Sequence, residues 1–469
     1  MREYFPLETN NHSPAHGKSM DKPGFSRWWY VGGVAFVAAW LICFEYHSGW
    51  NTPDRPLTDF SSETTAVVAK SPDQAPNSEL RTPRITEELQ SSQSAPPRPL
   101  RREDRLLKML RRRLDVAGAM PNEALLKFRS SEAQRDFLDR AARNKLTVLG
   151  RLDPLQTARV RYDQLDQLRA AIANEANIYE GVDVNYIVKI PDWPFEESRA
   201  GGVGTASFDG VGFLPAIGAT ADRSAWGEGV TVAVIDTGVE QHATFGDGQI
   251  THMDLVNDGQ PFNGHGTAMA SLIAGQDEHA PGVAPASYIL DVRVADSDGI
   301  SSSFKLAEGI VHAANAGAQV MNISLGSYAD AAVVRDAVSY AESKNAVVIG
   351  AAGNDQTSNQ LAYPAAISSV ISVGGVDASY QQAYCSNSGT DLDVTAPAVG
   401  IQSAFGQDLV VFGDGTSQAA AITSGVVAYG LSSGSTTASG ASDWLKQNVL
   451  SLSLPPERGG VGMVQVQPR

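Results

Sequence analysis

A carboxylate, an imidazole and a hydroxyl follow one another along this chain, each set among small residues. They are Asp236 in Val234-Ile235-Asp236-Thr237-Gly238, His265 in Asn263-Gly264-His265-Gly266-Thr267 and Ser417 in Gly415-Thr416-Ser417-Gln418-Ala419. Together they are the parts of a nucleophilic serine site. The carboxylate orients the imidazole, the imidazole takes the hydroxyl proton, and the freed oxygen attacks a carbonyl carbon. Asn354, closing Ala351-Ala352-Gly353-Asn354, offers an amide donor to the oxyanion that the attack creates. The backbone N–H of Ser417, at the start of a long run of small and apolar residues, is the expected second donor. Alone, each is an ordinary strand-end, surface or helix-capping residue. Four in one order point to a site.

Such groups need a frame that brings them to one edge. From Gly229 onward, apolar runs at 230–235, 288–294, 320–325, 346–349 and 370–373 lack the alternation of half-exposed strands. Parallel strands buried on both faces read this way. Helical patterns fall between them at 304–316 and 331–344, and others follow His265 (267–274) and begin at Ser417 (to about 429). The reading is a doubly wound, mostly parallel α/β sheet with functional groups at the carboxyl ends of its strands. Upstream, 121–190 reads as a small α+β unit in the order βαββαβ. Its strands are expected at 123–128, 146–152, 157–162 and 182–190, and its helices at 131–143 and 165–174.

Composition adds a compartment and excludes some partners. The chain has 469 residues and a formal charge of −16. Residues 1–200 hold 28 Lys+Arg against 27 Asp+Glu, leaving 8 against 25 for 201–469. So acidic a second part argues against nucleic-acid binding. Residues 28–44 are 17 uncharged, mostly apolar positions preceded by Lys18, Lys22 and Arg27 and followed by Glu45. This predicts a transmembrane helix, or a signal segment, with the N-terminus cytoplasmic and the rest extracytoplasmic. Residues 48–100 are rich in Ser, Thr, Pro, Gln and Glu and read as a flexible spacer. A basic helix with a solvated face is expected at 101–114. Cys43 and Cys385 are not expected to pair.

The three segments, in the order Asp, His, Ser, resemble the subtilisin-type serine proteases (subtilases). Ala351-Ala352-Gly353-Asn354 is similar to that family's oxyanion segment, and Asn322-Ile323-Ser324-Leu325-Gly326 to its substrate-binding strand. Gly282-Val283-Ala284-Pro285, Tyr363-Pro364-Ala365 and Asp393-Val394-Thr395-Ala396-Pro397 also fit. The resemblance implies a triad of Asp236, His265 and Ser417, with an oxyanion hole from Asn354 and Ser417. It implies substrate binding by Ser324, Leu325, Gly326, Ala351, Ala352 and Gly353. Gln418, Ala421 and Ala398 depart from the family's usual Met, Pro and Gly. A serine endopeptidase is implied, made as a self-inhibited precursor whose 121–190 segment is an inhibitor-like prodomain.

The expected layout is a cytoplasmic tail (1–27), an anchor or signal segment (28–46), and a disordered spacer with the basic helix (47–120). The prodomain (121–190), a connector in which processing is expected (191–228) and a subtilisin-like catalytic domain (229–466) follow. The partners are protein or peptide substrates, the chain's own prodomain and, through the N-terminal segment, a membrane. No cofactor is needed for the chemistry and no metal ligand is assigned. Many subtilases bind structural calcium, for which Asp247, Asp254, Asp258, Asp296 and Asp298 are the candidate ligands, but without EF-hand-type spacing they read better as solvated loops. Asp236-Thr237-Gly238 also spells an aspartic-protease signature, but that chemistry needs a second such Asp and the sequence has none. The alternative from another class is a non-catalytic binding or scaffold protein on this fold.

Overall fold

The computed structural model describes residues 100–191 and 205–467. The tail, the anchor or signal segment, the spacer up to residue 99 and connector residues 192–204 lie outside the described residues. Among the described residues, no helix is long and apolar enough to cross a membrane.

The first structured stretch begins with α1 (Arg102–Leu114). Its leucines do more than shape a solvated helix. Leu106 and Leu110 are buried in the core, and Arg102 donates to the carbonyls of Ala176 (2.9 Å) and Tyr179. The helix therefore packs on the α+β unit and is not part of the spacer. Then come β1 (Glu123–Phe128), α2 (Ser131–Leu138), β2 (Leu146–Leu152), β3 (Thr157–Tyr162), α3 (Leu165–Asn174) and β4 (Tyr179–Asp183). Ser130 caps α2, its hydroxyl accepting from Ala133 N at 3.1 Å. Beyond α2 a separate 3-10 turn, Ala141–Asn144, replaces the rest of the expected 131–143 helix. The sheet is antiparallel in the order β2-β3-β1-β4.

The single strand expected at 182–190 is two. β4 stays in the sheet, whereas β5 (Ile187–Lys189) leaves it and pairs antiparallel with β9 (Ile300–Ser302) of the larger unit. Its backbone groups find their partners there, so nothing holds it in line with β4.

The larger sheet takes β6 (Thr231–Asp236), β7 (Ile250–Asp254), β8 (Tyr288–Arg293), β10 (Val320–Ile323), β11 (Val347–Ala351), β12 (Ile371–Val376) and β13 (Val394–Pro397). Its order is β14-β15-β13-β12-β11-β10-β6-β8-β7, where β14 (Val449–Leu450) and β15 (Met463–Val464) close one edge. Every neighbour pair is parallel except β14 with β15. The strand order reverses between β6 and β10, which is where open α/β sheets place their sites. A core on one face joins β6 and β10 to α5 (Ser303–Asn315) and α6 (Ala332–Ser343), and it continues into the first unit. The other face is covered by α4 (His265–Ala274) and α7 (Thr416–Ser432). Residues 416–430 of α7 are all buried, which explains why its sequence is apolar all round.

Candidate active site

Asp236 ends β6 with no exposed surface. Its Oδ1 accepts from the Thr237 N–H at 2.7 Å and meets His265 Nδ1 at 2.8 Å. The imidazole is first in α4, and small residues let it approach. At Gly264 (φ +92°) a Cβ would stand 2.5 Å from the Phe405 ring, and at Gly266 one would stand 2.4 Å from the Gly238 carbonyl. Thr237 Oγ1 accepts from Gly266 N at 3.1 Å, locking the helix start to the strand end.

Ser417 is the second residue of α7, so its N–H lies among the four that have no partner inside the helix. Its hydroxyl donates to the Ser324 carbonyl at 3.4 Å, and Ser324 Oγ donates to the Ser417 carbonyl at 3.4 Å. Asn354 follows β11. Its Oδ1 accepts from both the N–H (2.9 Å) and the hydroxyl (2.8 Å) of Thr416, which fixes the amide so that the NH2 side is left for the site. A Cβ on Gly415 would come within 2.6 Å of that Nδ2.

Beside these groups lies a cavity of about 290 Å³, lined by Ser324, Leu325, Gly326, Ala351, Gly353 and Asn354 among others. Ala352 is not among its walls; it is fully buried in a small cluster with Leu361 and Leu392. Tyr328 and Asp355, which also line the cavity, are joined by a hydrogen bond. Burial, with Asp355 beside it, pushes the Tyr328 phenol up to about 12. Asn387 Nδ2 donates to the Tyr328 hydroxyl at 2.8 Å and holds that wall in place. Sequence reading missed Tyr328, Asp355 and Thr416. Thr416 and Asp355 had the signal of adjacency to Ser417 and Asn354; the role of Tyr328 in the wall shows only in the fold.

The chain itself lies along this cleft. Lys189 and Gly326 exchange backbone hydrogen bonds of 3.1 and 2.9 Å, and Ile190 N donates to the Gly299 carbonyl at 3.0 Å. Val188 and Ile190 are buried, and Pro191 lines the cavity. Two caps bind the first unit to the second. Asp183 Oδ2 accepts from Ala332 N at 2.9 Å at the start of α6, and Asn185 Oδ1 accepts from Phe304 N at 3.0 Å at the start of α5.

Other candidates have different partners. Asp254 and Asp258 face the buried Arg293 at 3.2 and 3.0 Å, and Asp296 Oδ1 accepts from the backbone of Asp298 and Ile300. Among the described residues no group of three or more His, Cys, Asp or Glu is placed to hold a metal. His252 pairs with Asp291 at 2.9 Å, a bond that raises the imidazole pKa. Cys385 is buried and unpaired, and burial pushes its thiol up to about 12.

The Subtilase family profile matches residues 227–453. Subtilisin BL from Lederbergia lenta is 34% identical over 217 residues, which cover 44% of this chain and 78% of that protein. The chain belongs to the subtilase family. A thermophilic serine proteinase from Bacillus sp. (strain AK1) is 38% identical over 213 residues, 44% of this subtilase but 53% of the relative. The match thus spans about half of that relative's length. Among solved structures, fervidolysin from Fervidobacterium pennivorans superposes with a TM-score of 0.62 at 22% identity, covering 74% of this chain and 60% of that one. The epidermin leader peptide processing serine protease of Staphylococcus aureus gives 0.61 at 20%, covering 73% and 96%. At those identities the likeness is one of fold. The family is one of serine endopeptidases, and its chemistry needs no cofactor.

Proposed function

We propose that this subtilase is a self-inhibited endopeptidase that cuts proteins outside the cytoplasm. In this reading Ser417 Oγ attacks the scissile carbonyl and His265 takes its proton. Asp236 fixes the imidazole tautomer, and Asn354 Nδ2 with the Ser417 N–H holds the oxyanion. The leaving amine takes the proton from His265, and water then hydrolyses the acyl-enzyme. Ser324–Gly326 pairs with the substrate backbone, while Ala351, Gly353 and Tyr328 wall the pocket. The 2.8 Å bond between Asp236 and His265, with the Ser417 hydroxyl held at Ser324 just past the neighbouring strand β10, is the observation that supports it most.

The segment from α1 to Lys189 acts as the prodomain. Two helix caps and the pairing of Lys189 with Gly326 support that role, because a peptide lying there excludes substrate. Residues 28–46 serve as a membrane anchor or export signal, a reading supported by their 17-position apolar run. Calcium has no assigned ligands.

Ser417→Ala in the full chain tests the core of the proposal. Both hydrolysis of a peptide substrate and self-cleavage between the two units are expected to vanish. Autonomous maturation of the purified Ser417→Ala chain would defeat it, as would failure of the wild type to react with a serine-directed phosphonate.

A further inference from the structure

Resting on that reading of the site, we infer that Pro191 keeps the tail of the first unit an inhibitor rather than a quick substrate of its own cleft. Lys189 and Gly326 face each other antiparallel as a hydrogen-bonded pair. In antiparallel pairing such pairs recur at every second residue. Two residues further along the tail, the next pair sets Pro191 against Ser324. Proline has no N–H to give. The Ser324 carbonyl therefore goes without the backbone donor that any other residue type at 191 would supply. What donates to it is the Ser417 hydroxyl, at 3.4 Å. The Ile190 N–H cannot substitute, since it is already bonded to Gly299.

Pro191 lines the same cavity as Ser324, Gly353 and Asn354, so its carbonyl is the one that the register brings toward the oxyanion donors. Cutting there would form a bond from Ser417 Oγ to the residue 191 carbonyl carbon and break the C–N bond to residue 192. The Ser417 proton would pass through His265 to the departing amine, and water would release the acid. The proline hinders this twice. It withholds one strand hydrogen bond from the reacting peptide, and it leaves the nucleophile hydrogen-bonded to Ser324, from which it must detach before attack.

The test uses the full chain as wild type, Pro191→Ala, Ser417→Ala and the double variant, followed over time by gel and N-terminal sequencing. Pro191→Ala is expected to open a new N-terminus at Asp192 about tenfold faster than wild type, the scale of one regained hydrogen bond. A wild-type chain that opens at Asp192 as fast as Pro191→Ala overturns the inference, and so does a Pro191→Ala rate equal to wild type. Equal melting of Ser417→Ala and the double variant would show that the fold is untouched; a double variant that melts lower would assign any gain in rate to loosened docking and also overturn the inference. Cleavage of either Ser417→Ala chain would instead count against the proposed function, so the two failures are separable.

Discussion

The amide of Asn354 is useful only if its NH2 faces the site, and Thr416 is what turns it. Two hydrogen bonds to Oδ1 leave that orientation as the one that satisfies both residues. Asn354→Ala is expected to lower kcat about 10²–10³-fold with KM little changed, a magnitude measured on a subtilisin itself and carried over. Thr416→Val removes one of the two bonds and should cost kcat about tenfold, again without a matching change in KM. A rise in KM alone for either variant would show that the residue binds substrate and does not stabilise the oxyanion. Gln418 invites a different measurement. Its side chain is buried with Oε1 unpartnered, at a position where the family usually has Met. Gln418→Met, in a Ser417→Ala background that prevents autolysis, is expected to gain about 1 kcal/mol in denaturant unfolding. Asp236, His265, Ser417 and Asn354 were legible as candidates because their residue types and order are the parts of a serine site, and the glycines on either side of His265 do stand in close backbone or ring contact. The part of Tyr328 and Asp355 in the wall was not legible, because it depends on contacts with Asn387 that only the fold makes.

Elements dock through helix ends. Asp183, the last residue of β4, and Asn185, two residues further on, serve the N-termini of α6 and α5. Asn185 is held in turn by Glu123, which accepts from its Nδ2 at 2.9 Å while bonding Arg159 at 2.8 Å. Burial opposes ionisation of Glu123, but the hydrogen bonds from Arg159, Asn185 and Arg161 outweigh it and hold the carboxyl below its ordinary range. A depressed acid contributes stability above its unfolded pKa, about 4.3 for Glu, and loses it as pH falls through the lower folded value. Glu123→Gln in the Ser417→Ala chain should therefore melt well below its parent at pH 7, with the gap closing below about pH 4. A gap independent of pH would refute the linkage. The main strands and helices were legible because buried parallel strands and amphipathic helices have distinct periods. The split between β4 and β5 was not, since apolar residues at every second position, Val182, Val184, Tyr186, Val188 and Ile190, read as one continuous strand, whereas its second half is claimed by a partner more than a hundred residues away. Nor was the docking of α1, whose arginines read as solvated while Leu106 and Leu110 face the core.

At the scale of the whole molecule, charge and packing divide the work of keeping the two units together. Residues 201–469 carry 25 acidic against 8 basic side chains, and residues 1–200 are nearly balanced at 27 against 28. Basic groups of the first unit meet the second directly. Lys127 Nζ lies 2.9 Å from Asp336, and Arg113 donates to the Asp330 carbonyl at 2.6 Å. Lys127 and Asp336 are both partly exposed, so their attraction is screened within a Debye length of about 10 Å at 0.1 M salt and about 3 Å at 1 M. The apolar part of the interface is not screened. Phe304 packs so closely on β2 that a Cβ at Gly150 would stand 2.8 Å from its ring. On the proposed self-inhibition, three manipulations should therefore shorten the lag before full activity, for two different reasons. Raising salt from about 0.1 to 1 M should shorten it modestly, and Lys127→Ala should shorten it at low salt and flatten the salt dependence. Gly150→Val should shorten it at every salt concentration, because it wedges the buried contact apart without touching a charge. Progress curves of peptide hydrolysis from the purified precursor distinguish the cases. A lag indifferent to salt in the wild type would mean that the acidity of the second unit plays no part in closure, leaving the caps and the Phe304 contact to hold the two units together.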